Sequence, residues 1–471
     1  MPTLAGAAIR LTSFSEKYVP DAFIFALLAT GLAVLGGLTI GGANLGKVVQ
    51  SWGDGFWGLI PFTMQMALVI ITGTVVATAA PVARAIDALA SIPTSNRGAV
   101  VFVAVMGMSA SWLNWGFGVV FAAVLVRAVA RKVPGVDYRT LAATAMMGTG
   151  SIWAQGLSGS AALQMATPGM LQPAIRQIVE TGGGPGATTV AGGIIPLTAT
   201  IFLPESLLAV AIEMLVVALA LWFLCPTGDA VRTAADLGVV PGGAFMNEAP
   251  SRAHTPGEWF EHQHWLNWLV VLLAGGYLVK LMLAAPSVAA AVTLNALNLA
   301  FLTIGMLLHG TPARFIRAFK DATPHVYGVI LQFPFYAGIA AIIVDTGLNA
   351  RIGALFTGAA NHLTFPALVA AYSAVLGVFV PSGGSKWVIE APYVIQSAHA
   401  LKVHLGWTVV AYDLGEALAN LIQPFWMLPV LGMLGLKARD IIGVTFGVFL
   451  ILTPVVLLLV TVLGAALGYP L

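Results

Sequence analysis

Charge is scarce in this chain: Asp, Glu, Lys and Arg make up only 8% of 471 residues. A soluble globular chain carries about 25%. With 59% hydrophobic residues, that scarcity excludes a soluble fold of this size. Hydrocarbon must solvate much of the surface. Cysteine is nearly absent, and the single Cys225 excludes a disulfide framework or a cysteine-based metal cluster. The eight histidines show no metal-ligand spacing; His254, His262 and His264 fall together in one polar stretch. No basic tract suits nucleic acid, and a net charge of +2 says little about partners. No P-loop occurs, which argues against an ATP-driven pump in this chain. No cofactor is expected. Residues 1–19 contain Arg10, Glu16 and Lys17 and lack a small-residue cleavage site, so the first apolar stretch is expected to stay as a helix.

Long apolar runs are what the chain does have. A spanning helix needs about 20 mostly apolar residues. Such runs occur at 20–43, 58–81, 203–224, 265–284, 290–309, 364–380 and 441–468. With the shorter segments between them, roughly ten to twelve helical crossings are expected, in contact with the lipid bilayer. Residues 225–264 are different. They hold Asp229, Arg232, Asp236, Glu248, Arg252, Glu258 and Glu261 among four prolines, and read as a polar cytoplasmic linker. The expected organisation is a first membrane repeat at 1–224 with a hairpin near 98–130, then the linker, then a second repeat at 265–471 with a hairpin near 364–400.

The two halves match weakly at a spacing of about 270 residues, as transporter repeats do. Each has an apolar helix, an amphipathic segment ending in Trp57-Gly58 or Tyr327-Gly328, and a long helix carrying Gln65 or Gln332. A short apolar segment follows in each and stops at a polar, Gly-rich break. The breaks are Asn114-Trp115-Gly116-Phe117-Gly118 and Pro381-Ser382-Gly383-Gly384-Ser385. Loops 82–97 and 127–139 hold Arg84, Arg97, Arg127, Arg131, Lys132 and Arg139, while their counterparts near 350–365 and 395–407 hold only Arg351 and Lys402. Loop 310–321 has Arg314, Arg317 and Lys320, against Lys47 alone near 44–56. Short basic loops stay cytoplasmic. Equivalent loops therefore lie on opposite sides, the repeats are inverted, and each short pair is a re-entrant hairpin. The N-terminus is expected on the cytoplasmic side. The fold class is thus an all-α polytopic membrane protein with two inverted-topology repeats, re-entrant hairpins and broken helices.

Non-helical backbone at membrane depth is tolerated where it is buried in protein or lines a cavity. Half-helix N-termini suit a carboxylate, and unwound carbonyls and hydroxyls suit a small cation. Asn114, Gly116, Gly118, Ser382, Gly383, Gly384, Ser385 and Lys386 are therefore candidates for binding a small carboxylate. The alternative at these glycines is tight helix packing. Ser158, Ser160, Thr167 and Gln423 lie in polar interruptions of later helices and are candidates for cation or proton coupling, as are Asp413 and Glu416 at i and i+3. A structural pairing is the rival for those two acids. Lys386 could attract an anion, or Glu390 at i+4 could simply neutralise it. Lys280 near a helix end reads as snorkelling. Glu205 suits a helix start, and Glu213 has no evident role. The coupling ion, H⁺ or Na⁺, stays open.

These motifs resemble the bacterial short-chain fatty acid transporter family. The matching stretches include Trp52-Gly-Asp-Gly-Phe-Trp57, Met64-Gln-Met-Ala-Leu68, Asn114-Trp-Gly-Phe-Gly118, Gly156-Leu-Ser-Gly-Ser160, Ala166-Thr-Pro-Gly169, Gln332-Phe-Pro-Phe-Tyr-Ala-Gly338, Val380-Pro-Ser-Gly-Gly384, Gly415-Glu416 and Gln423-Pro-Phe-Trp426. The resemblance implies uptake of acetoacetate, butyrate or similar acids in the bacterial inner membrane, coupled to a cation. It also implies an elevator-type scaffold with a transport domain, a homodimer, and no enzymatic activity. The family pattern has Gly-Gly-Gly-His where this chain has Gly383, Gly384, Ser385 and Lys386, and Gln where Glu390 stands. A dicarboxylate carrier, an intramembrane enzyme and a channel are the rival readings.

Overall fold

A computed structural model describes residues 22–182, 189–241, 255–285, 291–380, 382–423 and 426–471. The expectations resting on the N-terminal residues before Ala22, on Pro381 and on Pro424 lie outside the described residues. Those described are helical or irregular, with no strand among them.

The first half runs α1 (Ala22–Thr39), α2 (Leu45–Gly55), α3 (Ile60–Ala77), α4 (Ala80–Leu89), α5 (Asn96–Leu113), α6 (Trp115–Lys132), α7 (Tyr138–Ala143), α8 (Ser160–Ala166), α9 (Pro173–Thr181) and α10 (Pro204–Leu224). After the linker helix α11 (Pro256–Glu261) come α12 (His264–Ala284), α13 (Leu294–His309), α14 (Pro312–Ala322), α15 (Tyr327–Asp345), α16 (Leu348–Ala359), α17 (Phe365–Phe379), α18 (Gly383–Leu401), α19 (Leu405–Ala419), α20 (Met427–Leu434) and α21 (Ala438–Gly464).

The element starts repeat at a fixed interval. The pairs Leu45/Pro312, Ile60/Tyr327, Tyr138/Leu405 and Ser160/Met427 each begin helices 267 residues apart. Packing is reciprocal as well. Helices α1 and α2 of the first half lie on α15 of the second, and α13 and α14 lie on α3. Hairpin arm α6 packs on α3 and α20, while its counterpart α18 packs on α15 and α8. Helices of each half thus pack on helices of the other.

Five helical spans among the described residues are long and apolar enough to cross a membrane: Ile60–Ala77, Pro204–Leu224, His264–Ala284, Pro312–Asp345 and Ala438–Gly464. Shorter apolar helices cover Ala26–Thr39, Leu294–His309 and Phe365–Val378. That is fewer full-length spans than the sequence suggested. Much of the remaining apolar sequence is divided among shorter or less apolar helices and irregular segments. Helix α3 is largely buried, whereas α12 buries Asn267 and exposes Trp265, Trp268, Leu272, Leu273, Tyr277 and Leu283. Such a face is stable only against hydrocarbon or another apolar surface.

The polar linker begins as a strap beneath the first hairpin. Asn96, at the start of α5, donates to the Pro226 carbonyl at 2.8 Å. Buried Asp137 caps α7 by accepting from the Thr140 amide at 2.9 Å, and its other oxygen accepts from the Arg232 amide at 2.9 Å. These bonds fix where α7 enters the molecule, and so where the broken segment after it runs.

Candidate functional site

Two helical hairpins and two broken helices meet at one cleft. The first hairpin is α5 and α6, joined by Asn114 alone. Asn114 is extended, at φ −158° and ψ 122°, and is fully buried. An asparagine works here because its short side chain caps the helix it starts: Oδ1 accepts from the Phe117 amide at 2.9 Å. The amide two residues earlier is also taken, since Trp115 N donates to Ser158 Oγ at 2.9 Å. Ser158 is thus a cap for the hairpin tip, contributed by the irregular chain between α7 and α8. Leu157 N donates to the Trp112 carbonyl at 2.7 Å alongside it.

The second hairpin is α17 and α18. Ser382 is likewise extended, at φ −151° and ψ 102°, but makes no side-chain cap. The first amides of a helix have no intrahelical acceptor. At the first tip, side chains occupy the amides of Trp115 and Phe117. At the second, Ser382 leaves the first turn of α18 uncapped. Tyr412 on α19 holds that tip by donating its hydroxyl to the Gly383 carbonyl at 2.5 Å.

The cleft encloses about 450 Å³ of atom-free space, part of it open to solvent. Its polar wall is Thr149, Ser160, Ser382 and Asn420, with Gly383 and Gly384 beside them. Its apolar wall includes Met66 and Ile70 from α3, Val329 and Phe333 from α15, and Trp115, Trp153 and Trp426. The lining pairs Met66/Phe333, Trp115/Ser382 and Trp153/Asn420 share the spacing of 267 residues seen in the helices. Trp115 packs edge-on to Trp153 and Trp426, with ring centroids 6.0 and 5.2 Å apart. The indole N–H groups of Trp115 and Trp153 are buried and make no hydrogen bond within the protein. Asn420 donates to the Thr149 carbonyl at 2.9 Å and accepts from Gln423 at 3.2 Å. Among the described residues, no Lys, Arg or His lines this cleft. The wall offers N–H and O–H donors next to aromatic and aliphatic surface. That combination accepts a small group with an anionic head and a short apolar tail.

The structure brings together only part of the expected set. Ser382, Gly383, Gly384 and Ser160 line the cleft. A Cβ on Gly384 would lie 2.8 Å from Phe62 Cζ and 3.1 Å from Ser160 Cβ, and one on Gly383 would lie 2.9 Å from Trp153 Cη2. Gly116 and Gly118 do not line it. A Cβ on Gly118 would lie 2.5 Å from the Ser111 backbone, and one on Gly116 would lie 3.3 Å from Ile70 Cα. They are glycine so that α6 can sit tightly on α5 and α3. Thr167 lies elsewhere, accepting from the Leu294 amide at 3.4 Å. Ser385 is fully buried, with its hydroxyl unbonded.

The charged candidates form a separate group behind the tip. Lys386, Glu390, Asp413 and Glu416 are all buried. The Lys386 ammonium donates to the Ser373 carbonyl at 2.6 Å and the Ser373 hydroxyl at 2.7 Å. It pairs with Glu416 at 2.5 Å and more distantly with Glu390 at 3.6 Å. Both alternatives for Lys386 are thus narrowed: Glu416 is its nearer counter-charge, and its donors turn inward. Glu213 meets Gln155 at 3.5 Å. Glu205 sits in the first turn of α10, as its sequence context suggested. Sequence reasoning had passed over Thr149, Trp153, Phe333 and Asn420. The repeat spacing was the signal that could have paired Trp153 with Asn420.

The sequence matches the family model described as Short chain fatty acid transporter over residues 4–463. It is 34% identical over 445 residues to a Haemophilus influenzae protein, covering 94% of this chain and 96% of that one. It is 36% identical over 433 residues to an Escherichia coli protein, covering 92% and 94%. Both carry the name "Putative short-chain fatty acid transporter". In fold it is similar to the YdaH transporter of Alcanivorax borkumensis, with a TM-score of 0.58, 16% identity, and 95% and 98% of the two chains covered. It is also similar to MtrF of Neisseria gonorrhoeae, with a TM-score of 0.57, 15% identity, and 98% of each chain covered.

Proposed function

The chain belongs to the short-chain fatty acid transporter family, and from that premise we propose that it carries short-chain monocarboxylates such as butyrate or acetoacetate across the bacterial inner membrane. It is a secondary transporter, working by alternating access with a cation as the coupled species. The carboxylate sits at the uncapped start of α18, held by the Gly383 and Gly384 amides, the Ser382 hydroxyl and the Trp153 indole. The alkyl chain lies against Met66, Ile70 and Phe333.

One observation carries this reading. Among the described residues, the tip whose N-cap side chain makes no hydrogen bond faces a cleft of donors and apolar surface, with no cationic side chain in its lining. A helix N-terminus stabilises a carboxylate through aligned dipoles and free N–H groups. A dicarboxylate would bring a second charge to a wall with no cation to meet it, so a monocarboxylate is favoured. The common interval and reciprocal packing support inverted repeats. The elevator-type arrangement of scaffold and transport domains, the homodimer and the cytoplasmic N-terminus belong to the same proposal.

The test is uptake of labelled butyrate and acetoacetate into proteoliposomes, corrected for protein-free vesicles. Saturable uptake competed by unlabelled short-chain acids is expected. Protein that is folded, yet shows neither uptake nor exchange under proton or sodium gradients, would overturn the assignment.

A further inference from the structure

The buried group behind the second tip holds one ammonium and three carboxylates. Lys386 and Glu390 come from α18, and Asp413 and Glu416 from α19; all four are essentially inaccessible to solvent. With every group ionised, two negative charges would be left over in the protein interior, an arrangement that membrane-embedded sites strongly disfavour. The hydrogen bonding shows the same imbalance. Both Glu390 oxygens, Asp413 Oδ2 and Glu416 Oε1 lack a hydrogen-bond partner among the described residues. The other groups facing the cluster are hydroxyls. Tyr372 and Ser373 come from α17 and Tyr393 from α18, and the Tyr412 ring of α19 lies 4.8 Å from the ammonium. Among the described residues, the remaining helices packed on α18 and α19 bring no charged group to it.

Two kinds of cation could balance the surplus. A metal ion would need oxygen ligands converging on one point. Among the described residues, no three of His, Cys, Asp and Glu converge that way. The oxygens that do converge, the Ser373 carbonyl and hydroxyl and Glu416 Oε2, are already engaged by the Lys386 ammonium. The tethered amine therefore occupies the place a sodium ion would take. Protons remain.

We propose that Lys386, Glu390, Asp413 and Glu416 form the proton-binding site that couples substrate movement to a pH gradient, so that sodium is not the coupling ion. This rests on the transporter reading above. Each proton adds to a carboxylate oxygen as O–H, taken from water on one side of the membrane and returned to water on the other. No electrons move. Coupling follows from position. The first turn of α18 presents its amides to the cleft and carries Lys386 into the cluster. A Cβ on Gly383 would lie only 3.3 Å from Glu416 Cγ. An anion at the amides raises the proton affinity of carboxylates just behind them, and by linkage protonation there strengthens anion binding. The half-buried Tyr372 lies 3.1 Å from the Tyr393 hydroxyl, one turn from Glu390, and offers a route for the proton.

The test uses the full chain in proteoliposomes with labelled acetoacetate. Exchange of labelled for unlabelled substrate at equal pH measures binding and the conformational cycle without net coupling. In sodium-free buffer, an imposed pH gradient should drive accumulation above that of protein-free vesicles, and a sodium gradient at equal pH should not. Sodium-driven accumulation would overturn the proposal. Glu416→Gln should cut proton-driven accumulation at least about tenfold more than it cuts exchange, since one proton site is lost. The charge-balanced Lys386→Gln/Glu416→Gln variant guards against misfolding and should behave the same way. Proton-driven accumulation at the wild-type level in that folded double variant would also overturn the proposal. Absent exchange in the wild type would instead sink the transporter reading itself.

Discussion

Substituting Gly118 and Gly384 separately by alanine asks which glycines of the two tips serve packing and which serve the cleft. The structure gives opposite expectations for them. A Cβ at Gly118 would lie 2.5 Å from both Cα and N of Ser111, and 2.2 Å from its hydroxyl oxygen. Two of those atoms are backbone, so no rotamer change relieves the clash. Restoring a contact distance of about 3.5 Å requires α5 and α6 to part by about 1 Å. Overpacking of this kind costs about 1–3 kcal/mol. For Gly118→Ala, the midpoint of heat unfolding, read by size-exclusion chromatography in detergent, should fall by about 1–3 °C. The KM of the protein that remains folded should stay near that of the wild type. At Gly384 the obstacles are side chains, Phe62 Cζ at 2.8 Å and Ser160 Cβ at 3.1 Å. They are side-chain atoms that can give, and Ser160 lines the cleft in which a carboxylate would sit. Gly384→Ala should unfold near the wild-type temperature and raise the KM for butyrate at least about tenfold, equivalent to about 1.4 kcal/mol. Normal heat stability with a raised KM in Gly118→Ala would refute the assignment. It would return the first tip to the substrate.

Other substitutions separate support from contact. Ser158→Ala leaves the Trp115 amide without its acceptor; a loss of about 1 kcal/mol is expected, partly restored by threonine, in heat-unfolding measurements. Trp153→Phe keeps a ring in the wall and removes an indole N–H that nothing in the protein accepts. Losing a hydrogen bond to an anion, worth about 1.5–3 kcal/mol, should raise the KM for butyrate roughly tenfold or more at unchanged stability; an unchanged KM would remove the indole from the site. Lys386→Met breaks a buried ion pair and should destabilise by about 3–5 kcal/mol. Lys386→Met/Glu416→Gln should recover part of that loss, and equal unfolding temperatures for the single and double variants would show that the two groups are not coupled.

What was legible in the sequence is what local chemistry and spacing carry. Asn114 between two apolar arms announced a hairpin tip, because asparagine is a poor helix interior and a good cap. The spacing of about 270 residues is close to the 267 that separates the helix starts. The sequence-based boundaries of α10 and α12 fall within a residue of those seen. What could not be read was which distant residues meet. Ser158 lies 43 positions from the amide it accepts, so its hydroxyl looked free for a cation. Lys386 stands beside the Gly-rich break, which made it look like an anion ligand. Its actual contacts come from Ser373, 13 positions back, and from Glu416 on another helix. Gly118 was ambiguous for a simpler reason. The same residue type permits a ligand or a neighbouring backbone to approach, and only the neighbours decide which.

The two halves share an interval and a packing scheme, yet their tips differ in one chemical respect. At the first, Ser158 and Asn114 cap the Trp115 and Phe117 amides at the start of α6. At the second, Ser382 precedes α18 as Asn114 precedes α6, and its side chain makes no cap. The amides of a helix start need an acceptor from a side chain, water or a ligand, and are expensive to leave without one. In the proposed function the substrate carboxylate supplies that cap. The first hairpin is then a finished wall, and the second is a wall completed only by its cargo. In that proposal the missing side-chain cap at Ser382 decides where in the cleft the anion goes.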